Sequence, residues 1–134
     1  MPAADAKSFS FPKTHRLKSS LLIKEVVQQR QSVFCFPVKC FYQVVEANDD
    51  VAPKIAVLVS KKRFHHAVDR NRVKRLLREA YRLHRHELTL PDDHHTLNMC
   101  WMFVGVEKPT QQQVESAAVQ IFQGLTSKIV SEKP

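Results

Sequence analysis

Only two glycines, Gly105 and Gly124, occur in the 134 residues. A phosphate cradle built from backbone amides needs several glycines in one loop, so a P-loop and a GxGxxG turn are both excluded. No GxSxG elbow is present, which removes the commonest hydrolase nucleophile. Cysteine is scarce as well: Cys35, Cys40 and Cys100 make an odd count and no CxxC pair. They lie in apolar, strand-like segments, as expected of buried free thiols in a reducing compartment. No apolar run approaches the roughly 20 residues that span a bilayer, and no charged-then-apolar leader is visible. A soluble, cytoplasmic protein is expected.

Acidic side chains are in deficit. Thirteen Asp and Glu stand against 21 Lys and Arg, for a formal net charge of +8 and a pI of about 9.7. Hydrophobic residues make up 43%, enough to build a core in one domain of this length. The excess charge is concentrated between Lys61 and Arg82, where Lys61, Lys62, Arg63, Arg70, Arg72, Lys74, Arg75, Arg78 and Arg82 crowd together. At about 100° per residue, Val73, Leu76, Leu77, Ala80 and Leu83 fall in one arc of a helix. Arg70, Lys74, Arg78, Arg82 and Arg85 fall in another, with Asn71 among them and Arg75 just beyond. A basic tail would lack such periodicity, and solvated surface charge would not gather on one helix. An anionic membrane would need bulkier apolar residues on the opposite face. The pattern fits a phosphate backbone.

The rest of the chain reads as a small α+β unit. Residues 1–14 form a loosely held arm, 15–130 a single domain and 131–134 a tail. Helix is expected over 17–31, with Ser19 or Ser20 as cap and a stripe of Leu22, Ile23, Val26 and Val27. Strands are expected over 32–36 and 38–46, broken at Pro37, and Asn48-Asp49-Asp50 marks a turn. Along the second strand Val38, Cys40, Tyr42 and Val44 share one face, Lys39, Phe41, Gln43 and Val45 the other. The continuously apolar run 55–60 suggests a strand central in the sheet. The basic helix follows, from Ala67 or Asp69 to His86, with Asp69 as a candidate N-cap. A polar loop over 90–96, a doubly buried strand over 98–106 and a helix over 110–130 complete an αβββαβα order. Helices packed on one face of a four-stranded sheet are the expected architecture.

Protein-borne catalysis finds little support. Seven histidines invite a metal site, but no HExxH or CxxC supplies the four converging ligands that zinc needs. His65 and His66 extend the basic surface. Asp92, Asp93, Asp49 and Asp50 read as turn formers rather than Mg²⁺ ligands. The aromatics Phe34, Phe36, Phe41 and Tyr42 lie on strands that can neighbour the basic helix, where exposed rings would stack bases of a single strand.

From Ser60-Lys61-Lys62 through Ala67-Val68-Asp69-Arg70-Asn71-Arg72-Val73-Lys74-Arg75-Leu76-Leu77-Arg78-Glu79, the sequence resembles the signature of the bacterial ribonuclease P protein component. A weaker similarity runs from Phe11-Pro12 and Arg16-Leu17 to the last helix. The resemblance implies an α+β sandwich with a left-handed βαβ crossover. It also implies a subunit that binds a large catalytic RNA and the 5′ leader of precursor tRNA. The holoenzyme removes that leader by endonucleolytic hydrolysis, using Mg²⁺ held mainly by RNA, and the protein alone is not catalytic. Carried over by position, Lys61, Lys62, Arg63, Arg70, Asn71, Arg72, Lys74, Arg75, Arg78 and Arg82 would bind RNA. Ile23, Val27, Phe41, Asn71, Lys74 and Arg78 would line the leader cleft. Ile23 and Val27 stand where the family usually carries two phenylalanines, so stacking by that helix should be lost. The loop Arg63-Phe64-His65-His66 replaces a glycine-containing form and should add RNA contact. The other readings are a structured-RNA-binding protein of ribosomal type, which would not stimulate such cleavage, and a self-sufficient nuclease using Asp92, Asp93, His94 or His95.

Overall fold

The structure, a computed structural model, describes residues 17, 20–29, 31–46, 53–89 and 95–132. Its elements are α1 (Ser20–Gln28), β1 (Ser32–Cys35), β2 (Val38–Glu46), β3 (Lys54–Leu58), α2 (Ala67–His84), β4 (His95–Phe103) and α3 (Gln111–Glu132). A 3₁₀ turn, Arg85–Glu87, follows α2. The expected αβββαβα order is present. The arm over 1–14, the turn over 48–50 and most of the loop over 90–96 lie outside the described residues.

The sheet runs β1-β2-β4-β3. A turn at Phe36-Pro37 joins β1 to β2 as an antiparallel hairpin, and β2 pairs antiparallel with β4. β3 lies parallel to β4, with α2 as the crossover between them. This places β3 at the edge, not in the centre as its apolar run suggested. The run records burial of both faces, which helices on either side provide for an edge strand too. Leu17 meets the outer edge, its N–H donating to the Ile55 carbonyl at 2.9 Å. Leu17 is therefore an extended neighbour of β3, and α1 starts only at Ser20.

The strand alternation sets two cores on opposite faces. On one, Val38, Cys40, Tyr42, Ile55, Val57, Leu97, Met99, Trp101 and Phe103 meet Val73, Leu77, Ala80 and Tyr81 of α2. Val114, Ala117, Ala118, Ile121, Phe122 and Leu125 of α3 join them. Tyr81, Trp101 and Phe122 form an aromatic triangle with centroids 5.3 to 6.1 Å apart, each contact worth about 0.5–1.5 kcal/mol beyond its buried area. On the other face Leu17 and Val26 pack on Ala56 and Cys100, flanked by Ile23, Val27, Phe41 and Leu58. The helices thus do not share one face: α1 packs opposite α2 and α3. The cause is that β3 and β4 bury apolar residues both ways, so each side of the sheet needs a cover.

Two helix starts have different chemistry. The Thr110 hydroxyl accepts from the Gln113 N–H (3.2 Å) while Gln113 Oε1 accepts from the Thr110 N–H (3.0 Å), a reciprocal capping box. At α2 the N-cap is His66, with no side-chain cap, and Asp69 is not the cap expected from sequence. Asp69 sits in the first turn, where a carboxylate favours the positive end of the helix dipole, and it pairs with Lys108 at 3.0 Å.

Candidate nucleic-acid interface

Helix α2 buries Val73, Leu77, Ala80 and Tyr81, which turns its cations outward. Those cations, together with Arg63 of the preceding loop, divide into two groups. Arg70 donates from Nη1 to the carbonyls of Phe64 and His65, both at 2.9 Å, and Arg63 donates to the Gly105 carbonyl at 3.0 Å. Arg82 is paired with Glu79 one turn back, which holds its guanidinium pKa above the ordinary arginine value. These three serve the fold as well as the charge field. Asn71, Arg72, Lys74 and Arg75, by contrast, spend no side-chain hydrogen bond or ion pair inside the described chain, and Asn71, Arg72 and Arg75 are exposed. Arg78 is exposed and also engaged within the chain.

The loop between β3 and α2 is pinned at several points. The Arg63 and Phe64 amides donate back to the Ser60 carbonyl, and the Lys62 amide donates to the Ser60 hydroxyl. Phe64 is buried against Phe103, centroids 5.7 Å apart, so its bulk turns inward. Lys61, Lys62, His65 and His66 are left exposed. A cavity of about 480 Å³ opens here between Ser60, Lys62, Arg63, Met102, Phe103 and Val106. Gly105 is required beside it, because a Cβ there would stand 2.6 Å from Phe103 Cζ.

Ile23, Val27 and Phe41 are brought together, half-buried, on the α1 side of the sheet. Asn71, Lys74 and Arg78 are not with them, since α2 packs on the opposite face. The six positions assigned to one cleft therefore stand on elements that pack against opposite faces of the sheet. Strand register explains what α1 leaves uncovered. Phe34 faces Lys39, Lys39 faces Met102, and Met102 faces Leu58, forming one row across the sheet. In the next row Ser32, Phe41, Cys100 and Ala56 align. Lys39 Nζ stands 5.0 Å from the Phe41 ring centroid, a cation–π contact. Of the four aromatics singled out from sequence, Tyr42 is core and Phe41 half-buried, while Phe34 and Phe36 are 60% and 64% exposed. Sequence reasoning did not single out Lys39 or Met102, which the register sets in the same row as Phe34. The hairpin register could have found Lys39, because a two-residue turn at Phe36-Pro37 forces Phe34 opposite it.

Nucleophiles of the ordinary kind are muted. Burial pushes the Cys100 thiol up to about 12, raises Cys40 further and lifts Cys35, whose Sγ donates to Gln120 Oε1. His84 Nε2 lies 2.8 Å from Glu115, and exposed His86 lies 3.6 Å from Glu87. Among the described residues no three His, Cys, Asp or Glu side chains converge on a point where a metal could sit. Asp49, Asp50, Asp92, Asp93 and His94 lie outside the described residues; His95 opens β4.

A cationic helix on one face of a sheet and partly exposed rings beside a lysine on the other fit an RNA-binding α+β sandwich. The family described as Ribonuclease P matches residues 11–128. A ribonuclease P protein component from Porphyromonas gingivalis is 35% identical over 112 residues, 82% of each chain. Among solved structures, the RNase P protein of Staphylococcus aureus superposes with a TM-score of 0.64 at 18% identity, covering 83% of this chain and 94% of that one. The RNase P protein of Thermotoga maritima gives 0.63 at 15% identity, covering 81% and 96%. The structures establish the shared fold, and the profile and sequence match establish the family: this chain belongs to the ribonuclease P protein components. It is a subunit of the ribonuclease P holoenzyme, in which RNA carries the chemistry of tRNA 5′ leader processing.

Proposed function

We propose that the two faces of this protein hold two different RNAs. The outer surface of α2, with Asn71, Arg72, Lys74 and Arg75 and the neighbouring Lys61 and Lys62, binds the catalytic RNA. The α1 side, with Ile23, Val27, Phe41 and Lys39, binds the 5′ leader of precursor tRNA as an extended single strand. The observation that carries this reading is the segregation of unspent cations on one face from a half-buried ring under a lysine on the other. Phosphate contacts position a polyanion, whereas rings accept bases of any sequence.

In this reading the Mg²⁺ is held by the RNA, and no step runs through a protein ligand. The protein's own work is to neutralise phosphates and orient the leader. The cytoplasm, where tRNA precursors would be met, is the proposed location. Reconstitution tests all of this. Protein alone should leave precursor tRNA intact, and adding the catalytic RNA with Mg²⁺ should release the leader at the mature 5′ end. RNA affinity without stimulated cleavage would favour the ribosomal-type reading, and cleavage by protein alone would favour a nuclease.

A further inference from the structure

Phe34 is a large aromatic side chain left 60% exposed on the α1 side of β1, and among the described helices none packs closely on that side of the strand. Its neighbours Val33 and Cys35 point the other way, Val33 toward Gly124 and Cys35 toward Gln120 of α3. Phe34 therefore shares a face with Phe41, and the strand register places Lys39 directly opposite it, beside the Phe41 ring. Diagonal neighbours on one face of an antiparallel pair lie about 7–8 Å apart, a gap that an extended nucleotide backbone can step across. An exposed phenylalanine alone would need no explanation. A second ring beside a lysine-capped ring, on the face proposed to hold the leader, does.

We propose that Phe34 is a second base-stacking platform and that Lys39 contacts the phosphate between it and Phe41, so that the leader runs across the hairpin toward the β1 edge. This rests on the assignment of the α1 face to the leader. It would also explain how the chain manages with Ile23 and Val27 on α1: the stacking surface has moved from the helix to the edge strand. Met102 and Leu58 continue the same row as an apolar floor toward Lys61 and Lys62.

The test uses reconstituted holoenzyme and precursor tRNAs with a graded series of leader lengths. Phe34→Ala should weaken binding about five- to tenfold for long leaders and leave mature tRNA unaffected. Phe34→Trp should retain affinity and Phe34→Leu should not, since leucine is apolar but cannot stack. Phe41→Ala is run beside them. If Phe41→Ala weakens leader binding and Phe34→Ala does not, the second platform is wrong and the channel stands. If neither matters, the assignment of this face to the leader fails with it. A loss that appears equally with mature tRNA, a loss of affinity for the catalytic RNA, or a change in self-association by sedimentation would each overturn the proposal. Circular dichroism should show all Phe34 variants folded, because the side chain contributes little to the core.

Discussion

The Arg70 guanidinium bonds to the Phe64 carbonyl, so the first arginine of the Arg-Asn-Arg triplet closes the loop that precedes its own helix. A residue that reads as an RNA contact is also a structural tie. Its neighbour Arg72, two positions on, carries no such duty.

That contrast separates two kinds of loss. Arg70→Ala removes charge-assisted hydrogen bonds to two backbone carbonyls and should lower unfolding stability by about 2 kcal/mol in urea titrations. Arg72→Ala should leave the urea midpoint unchanged, weaken affinity for the catalytic RNA and reduce the salt-dependence slope by about one. Equal midpoints for the two variants would refute the division.

On the opposite face, restoring rings to α1 should help. Ile23→Phe with Val27→Phe adds aromatic surface beside Phe41 and should tighten precursor tRNA binding by about 1 kcal/mol, roughly fivefold. Filter binding against mature tRNA isolates the leader contribution, and an unchanged ratio would remove α1 from the path.

Gly124 tests the packing of α3 on β1. A Cβ there would lie 2.9 Å from Val33 Cγ1, so Gly124→Ala should destabilise by about 1 kcal/mol despite the better helix propensity of alanine. In a Val33→Ala background the same change should become neutral or stabilising. Thermal melts of the four proteins close the cycle.

The thiols give a pH prediction. Cys100 titrates at about 12 when folded against 9.0 as a free thiol, and Cys40 higher still. Above pH 9 the unfolded chain releases these protons while the folded one keeps them. The stability they contribute is therefore complete below pH 9 and should fall as pH rises toward 12. At pH 8 a thiol reagent should label Cys35 alone in the native protein, and Cys40 and Cys100 only on unfolding. Rapid native labelling of all three would contradict their burial.

Much of this architecture was legible in the chain. Helical spacing located α2 and the inner stripe of α3, and two-residue alternation located the faces of β2, because periodicity reports directly which side is buried. Three features were not legible, each for a physical reason. The edge position of β3 was hidden because an apolar run records how many faces are covered, not how many neighbours a strand has. The opposite placement of α1 depended on Ala56, Cys100 and Phe41 forming a second core, which pairs residues far apart in sequence. Asp69 looked like a cap, yet the chain turns helical earlier, at Ala67, and frees its carboxylate for Lys108. Periodicity also could not say which arginines are spent internally, since Arg63 and Arg70 find their acceptors only once the loop has folded. The basic stretch was legible as a charge pattern, whereas the packing of α1 and α2 on opposite faces of the sheet was not.

Both borders of the sheet are occupied. At one, the Leu17 amide takes up the Ile55 carbonyl of β3; at the other, the Lys128 ammonium takes up the Ser32 carbonyl of β1 at 2.7 Å. Open strand edges recruit strands from other molecules, and a lysine on the border is a common deterrent. Each border of the described sheet thus carries one contact that works against pairing with a second copy.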